Sequence, residues 1–212
     1  LLSSTFHLGH PERAIKAFSQ WKSSWLSREA WLSLFALVLS GIYALGRIFF
    51  DIDLAIIGLF SAIFCIATVF ATSMIYAQLK TVPRWNSGAT PIAFLVFSIA
   101  GGALLSGQIS VALPLLALSG VIQILSWILG DKAFAQSGTN LATATQLTLN
   151  PSEVRSFEAP HTGTNYLLQE FVYKVGRKHS SKLRIMGSIL AFGMPIICLL
   201  YTSPEPTRPY WI

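Results

Sequence analysis

The chain has 212 residues, of which 53% are hydrophobic and only 11% charged, and its mean hydropathy is +0.58. A soluble domain carries about 25% charged residues, so a water-soluble globule is excluded and a membrane protein is indicated. Most of the net charge of +6 falls outside the apolar runs and suits loops at lipid headgroups or in the cytoplasm, not nucleic acid.

Taken in order, residues 1–8 read as the end of a helix, because Gly9 and Pro11 are poor helix continuers. The chain has no initiating Met and opens inside that helix, so it reads as a fragment. The connector His10–Arg28 carries Arg13, Lys16, Lys22 and Arg28 with Trp21 and Trp25 interleaved, which is the pattern of an interfacial amphipathic segment. Ser27 is placed to cap the next helix, putting Glu29 in its first turn, where exposed amides and the helix dipole favour a carboxylate.

Charge-poor runs follow at Ala30–Phe50, Leu54–Ala77, Pro91–Ser106, Val111–Gly130 and Leu183–Ile197. A hydrocarbon core needs roughly 17 to 25 residues of helix, so two of the five are short. Lipid offers the backbone no hydrogen-bond partners, and these lengths do not suit barrel strands. The expected fold is therefore all-α, a polytopic integral membrane helix bundle with about five complete spans plus the end of another.

Asp51-Ile52-Asp53 is too short a link for anything but an antiparallel neighbour. Two crossings after Glu29, the loop Lys80–Pro91 returns to the face that holds it, and there Arg84 and Trp85 offer a cation and an aromatic plate. Each also has a plainer reading, as a snorkelling Arg and an aromatic-belt anchor. Residues 131–182 form the long polar stretch and are expected to be a loop, with Tyr166–Tyr173 of mixed helical character inside it. Residues 1–197 thus read as one membrane domain. Cys198–Arg208 resembles the translation of a sequencing adapter, so 198–212 is expected to be a non-native tail. Cys65 and Cys198 stand alone in apolar surroundings and read as buried small hydrophobes, without the spacing of an iron-sulfur or zinc site.

His7, His10, His161 and His179 lie at edges or in loops, which argues against a haem held between the spans. Nor do the spans carry an acidic ladder of the kind proton pumps show. What remains is the face where His7, Glu29, Arg84 and Trp85 converge. An imidazole and a carboxylate at a lipid boundary can each take a proton from a quinol near neutral pH. The plainer readings are a helix-start charge for Glu29 and a helix-end residue for His7.

At these same residues the sequence resembles the membrane anchor subunit of the dimethyl sulfoxide reductase family, the DmsC-type anchor of bacterial molybdoenzymes. The stretches that carry the likeness are Phe6-His7-Leu8-Gly9-His10-Pro11 with Leu26-Ser27-Arg28-Glu29, Thr81–Ser87 with Thr90-Pro91, and Thr162–Tyr166 with Val175–His179 and Lys182-Leu183-Arg184. Together they cover residues 1 to about 197.

The resemblance implies a helical anchor of usually eight spans in the bacterial inner membrane. It would hold an iron-sulfur electron-transfer subunit and a molybdopterin catalytic subunit, and pass electrons from menaquinol toward an S- or N-oxide. It also implies that His7 and Glu29, 22 residues apart, belong to the quinol site. This chain would itself carry no haem, metal or iron-sulfur cluster. The alternative is a polytopic transporter or a purely structural anchor without a redox site. By the positive-inside rule the basic loops mark a cytoplasmic face; exported partner subunits would put that face outside, and both orientations stand.

Overall fold

The computed structural model describes residues 11–146, 150, 153–154, 175–176 and 178–202. Among them every regular element is a helix. A 3₁₀ helix, Pro11–Phe18, forms part of the connector. It is followed by α1 (Trp25–Phe49), α2 (Ala55–Ala77), α3 (Ala89–Leu105), α4 (Ile109–Gln136) and the short α5 (Leu141–Thr145). The last membrane helix, Ser180–Tyr201, consists of α6 (Ser180–Ser188), a π-helical stretch (Ile189–Gly193) and α7 (Met194–Thr202).

Four of these helices are long and apolar enough to cross a membrane, and α3 is a shorter apolar helix of 17 residues. Their exposed faces carry Leu, Ile, Val and Phe almost throughout. In a bilayer such faces meet acyl chains or a neighbouring helix at no hydrophobic cost, which is why spans of this composition need no polar outer surface. The multi-pass helical membrane fold expected from the sequence is the one observed.

The chain divides into two compact units: residues 1–99 with 125–130, and residues 100–124 with 131–212. In the first, α1 and α2 form an antiparallel hairpin. Phe50 and Ile52 both return their amides to the Gly46 carbonyl, and Asp51 between them takes φ 50°, a left-handed conformation that Asp tolerates. At Gly46 a Cβ would lie 2.5 Å from Leu54 Cδ1, and at Gly58 one would lie 3.0 Å from the Tyr43 ring. Hydrogen alone at these two positions lets the helices approach closely beside the turn, as small residues commonly do in membranes.

Farther along, Ser40 and Ser61 share a hydrogen bond of 2.6 Å across the pair, and the Thr72 hydroxyl donates to Glu29 Oε1 at 2.7 Å. The eleven residues from Ser40 back to Glu29 are matched by the eleven from Ser61 on to Thr72, so one register holds over the whole contact. Ser33 and Thr68 face each other by the same register but satisfy their hydroxyls on their own helices, at Ala30 and Phe64. Phe35 and Phe64, 5.4 Å apart, fill the space beside them.

In the second unit α4 and the last membrane helix pack together. Phe192 lies over Gly120, and Arg184 makes a two-pronged ion pair with Asp131, Nη1 to Oδ2 at 2.6 Å and Nη2 to Oδ1 at 3.0 Å. The turn before α4 uses Gly107 at φ 72°.

Three expectations are corrected. The first complete helix begins at Trp25 with Ser24 at its N-cap position, so Ser27 is already helical and Glu29 lies in the second turn. Asp131 to Gln136 do not open a loop but extend α4 by more than a turn, because Ala, Lys and Gln there are good helix formers with nothing to stop them before Gly138. Cys65 and Cys198 are exposed, not buried; an apolar group in a membrane span needs no burial against protein. The spans expected at Pro91–Ser106 and Leu183–Ile197 differ in outcome: the first stays short, while the second gains residues at both ends. Residues 1–10, Tyr166–Tyr173 and His161 lie outside the described residues.

Candidate functional site

The site is built at one end of the α1/α2 hairpin. Glu29, half-buried, lies 2.7 Å from the Thr72 hydroxyl, whose single proton is shared between the carboxylate and the Thr68 carbonyl one turn back. A threonine on an apolar helix readily back-bonds its own carbonyl. Here the carboxylate adds a second acceptor and fixes the side chain's rotamer across the interface.

Tyr76 is one turn beyond Thr72 on α2, and its ring meets Trp85 edge to face at 5.4 Å and stacks on Phe94 of α3 at 5.6 Å. Thr72 and Tyr76 share a helix face, so Glu29 and the loop after α2 stand at the same end of the hairpin, as counting crossings implied.

That loop is compact. The Asn86 side-chain amide donates to the Ala77 carbonyl at 2.6 Å, and the Thr90 hydroxyl donates to the Trp85 carbonyl at 2.7 Å. Gly130 lies directly beneath it: a Cβ there would come within 3.3 Å of the Arg84 carbonyl oxygen. Arg84 and Trp85 are exposed. His7 lies outside the described residues, so of the four residues singled out, the structure gathers Glu29, Arg84 and Trp85 at one end and leaves His7 unplaced.

On the flank of α1, one turn before Glu29, a cleft of about 690 Å³ opens between the connector, α1 and α2. Its walls include Phe18, Trp21, Trp25, Arg28, Trp31 and Phe70. The indole of Trp25 meets Phe70 edge to face at 5.9 Å, and the Arg28 guanidinium lies 4.4 Å from the centre of the Trp25 ring. Glu29 is not on the cleft wall; Trp25, which is, lies one turn before it on the same helix face. Such a cleft admits a flat, lipid-soluble ring and offers it stacking surfaces, while the carboxylate nearby offers a base.

Sequence reasoning missed Thr72 and the aromatic cleft. Thr72 follows from the antiparallel register only once one contact is known. Trp21 and Trp25 were visible, but as interface anchors, and Trp31 drew no reading of its own. Among the described residues, no three His, Cys, Asp or Glu side chains come together as a metal site.

The chain matches the family model described as DMSO reductase anchor subunit (DmsC) over residues 1–204. It is also similar to a sulfite dehydrogenase subunit of Allochromatium vinosum, with 25% identity over 219 aligned positions that cover 93% of this chain and 67% of the relative. No solved structure matches it. With a multi-pass helical hairpin architecture and a family match that runs nearly its full length, the chain belongs to the DMSO reductase anchor subunit (DmsC) family, the membrane anchors of molybdoenzyme complexes.

Proposed function

We propose that the chain is the quinol-oxidising anchor of a DMSO reductase-type complex in the bacterial inner membrane. Menaquinol releases two electrons and two protons there; an iron-sulfur subunit takes the electrons and passes them to a molybdopterin subunit that reduces an S- or N-oxide. Glu29 and His7 take the protons. Arg84 and Trp85 form the rim at which a ring enters from lipid. The observation that carries this reading is the Thr72–Glu29 contact: a carboxylate held inside the helix pair, at a bilayer edge and beside an aromatic cleft, is placed as a base would be. A salt bridge or surface charge would explain Glu29 less well, since among the described residues the group it meets is a neutral hydroxyl.

Electron transfer weakens steeply with distance, so the iron-sulfur partner docks on this same face. A second reading comes from the name of the Allochromatium vinosum relative, which belongs to a sulfite dehydrogenase. In an enzyme that oxidises its substrate, electrons flow from the catalytic subunit into the quinone, and the same two groups then deliver protons. The site residues are identical in both readings and only the direction differs.

The test uses the whole complex. Glu29→Gln or His7→Arg lowers turnover with a menaquinol analogue by about 100-fold, the scale of a lost acid-base group, while reduction by a soluble artificial donor continues. Unchanged quinol turnover in both variants removes the site. Sulfite-dependent reduction of a quinone, with no quinol-dependent reduction of an S-oxide, selects the second reading.

A further inference from the structure

The first two turns of α1 do more than enter the membrane. Ser27, buried, donates its hydroxyl to the Ala17 carbonyl. Arg28 donates from Nε to the Trp21 carbonyl at 3.0 Å and from Nη2 to the Lys22 carbonyl at 2.7 Å. Trp31 donates from its indole nitrogen to the Phe18 carbonyl at 3.1 Å, and its ring meets Phe18 edge to face at 5.2 Å. Four carbonyls of one short segment are thereby captured by three neighbouring side chains. These carbonyls end a 3₁₀ helix and the turns after it, so the helix itself leaves them without partners. At a membrane boundary that need is met by protein or by headgroup water, and here protein meets it.

We propose that Arg28 is the positioning residue of the quinol site, acting as a latch that holds the connector against α1. This rests on the quinol reading given above. The connector supplies Phe18 and Trp21 to the wall of the cleft, while α1 and α2 supply the opposite side. It is also the stretch of chain joining His7 to Glu29. Held by the latch, it fixes the width of the cleft.

Arginine suits the task because a planar fork can reach two successive carbonyls while its face lies on the Trp25 ring. Lysine would bring the same charge as a single point and could satisfy one carbonyl well. The role is therefore geometric, and charge alone does not fulfil it.

The experiment compares Arg28→Lys and Arg28→Gln in the intact complex, with Glu29→Gln beside them, by two readouts. The first is amide hydrogen exchange in residues 14–24: both Arg28 variants speed it at least tenfold while α1 and α2 keep their protection, which also shows that the hairpin is folded. The second is quinol kinetics: KM for a menaquinol analogue rises about tenfold in both, with kcat changed less than threefold, because Glu29 and Thr72 are untouched.

Unaltered exchange overturns the latch. Faster exchange with an unchanged KM, in a complex where Glu29→Gln is impaired, overturns the positioning role and leaves the quinol reading in place. Full recovery by lysine in both readouts overturns the fork geometry. If Glu29→Gln itself turns over quinol normally, the quinol reading fails together with the role assigned to Arg28, whatever the exchange data show.

Discussion

At the scale of single residues the account turns on Glu29 and the hydroxyl that holds it. A hydrogen bond to a charged group contributes about 1.5–3 kcal/mol, and the half-buried setting reduces this to about 1 kcal/mol by solvent competition. Thr72→Val therefore slows quinol turnover about fivefold by leaving Glu29 free to rotate, whereas Thr72→Ser keeps most of the rate; steady-state assays of the two complexes check this. Glu29 could be picked out from the chain because a carboxylate beside an apolar run is rare and costly. Thr72 could not, since threonine is ordinary in such helices and its importance comes only from the residue opposite.

Asp51 offers a second residue-scale test. Its left-handed backbone is easy for glycine, acceptable for aspartate and poor for a β-branched side chain. Asp51→Gly should leave thermal unfolding in detergent within about 0.5 kcal/mol of the parent, and Asp51→Val should cost about 1–2 kcal/mol. Equal melting of the two variants would show that the turn does not depend on that conformation.

Among the helices, the legible part was their number and order. Long runs without charge are unmistakable, and the links at Asp51–Asp53 and around Gly107 were evident from their polar, turn-forming residues. The ends were less legible. The helix α1 starts at Trp25, three residues before the Arg28 start that a Ser27 cap implies, because Ser24 takes the N-cap position and the Ser27 hydroxyl bonds the Ala17 carbonyl of the connector. Asp131 and Lys132 fall inside α4 for a related reason: Asp131 has a partner in Arg184, 53 residues away.

That pair ties α4 to the last membrane helix and is about two-fifths exposed, so its worth is on the order of 1 kcal/mol. Asp131→Asn and Arg184→Gln each lower the melting temperature of the detergent-solubilised complex. The exchange of charges, Asp131→Arg with Arg184→Asp, recovers at least half of the loss if the two side chains act on each other. No recovery in the double variant means that each contributes through other contacts.

For the molecule as a whole, composition alone separated a membrane protein from a soluble one, and the family match over residues 1–204 states which kind of membrane protein it is. The cleft belongs to this scale, because no single segment contains it: the connector, α1 and α2 each contribute a wall. Its aromatic residues looked like belt anchors because tryptophans near a span end usually are. Only the fold shows that several of them face one another. The Arg28, Ser27 and Trp31 bonds were equally hidden, since hydrogen bonds to backbone carbonyls leave no periodic trace in a sequence.

In the proposed function the anchor keeps proton release at the membrane and hands electrons to a partner subunit, so defects at its site should be specific to the lipid-borne substrate. The measurement that bears most directly on this is turnover of the purified complex carrying Glu29→Gln, assayed in parallel with a menaquinol analogue and with a soluble dye donor. The account predicts that the quinol rate falls about 100-fold and the dye rate stays within twofold of the parent. Equal rates with both donors in parent and variant would contradict it.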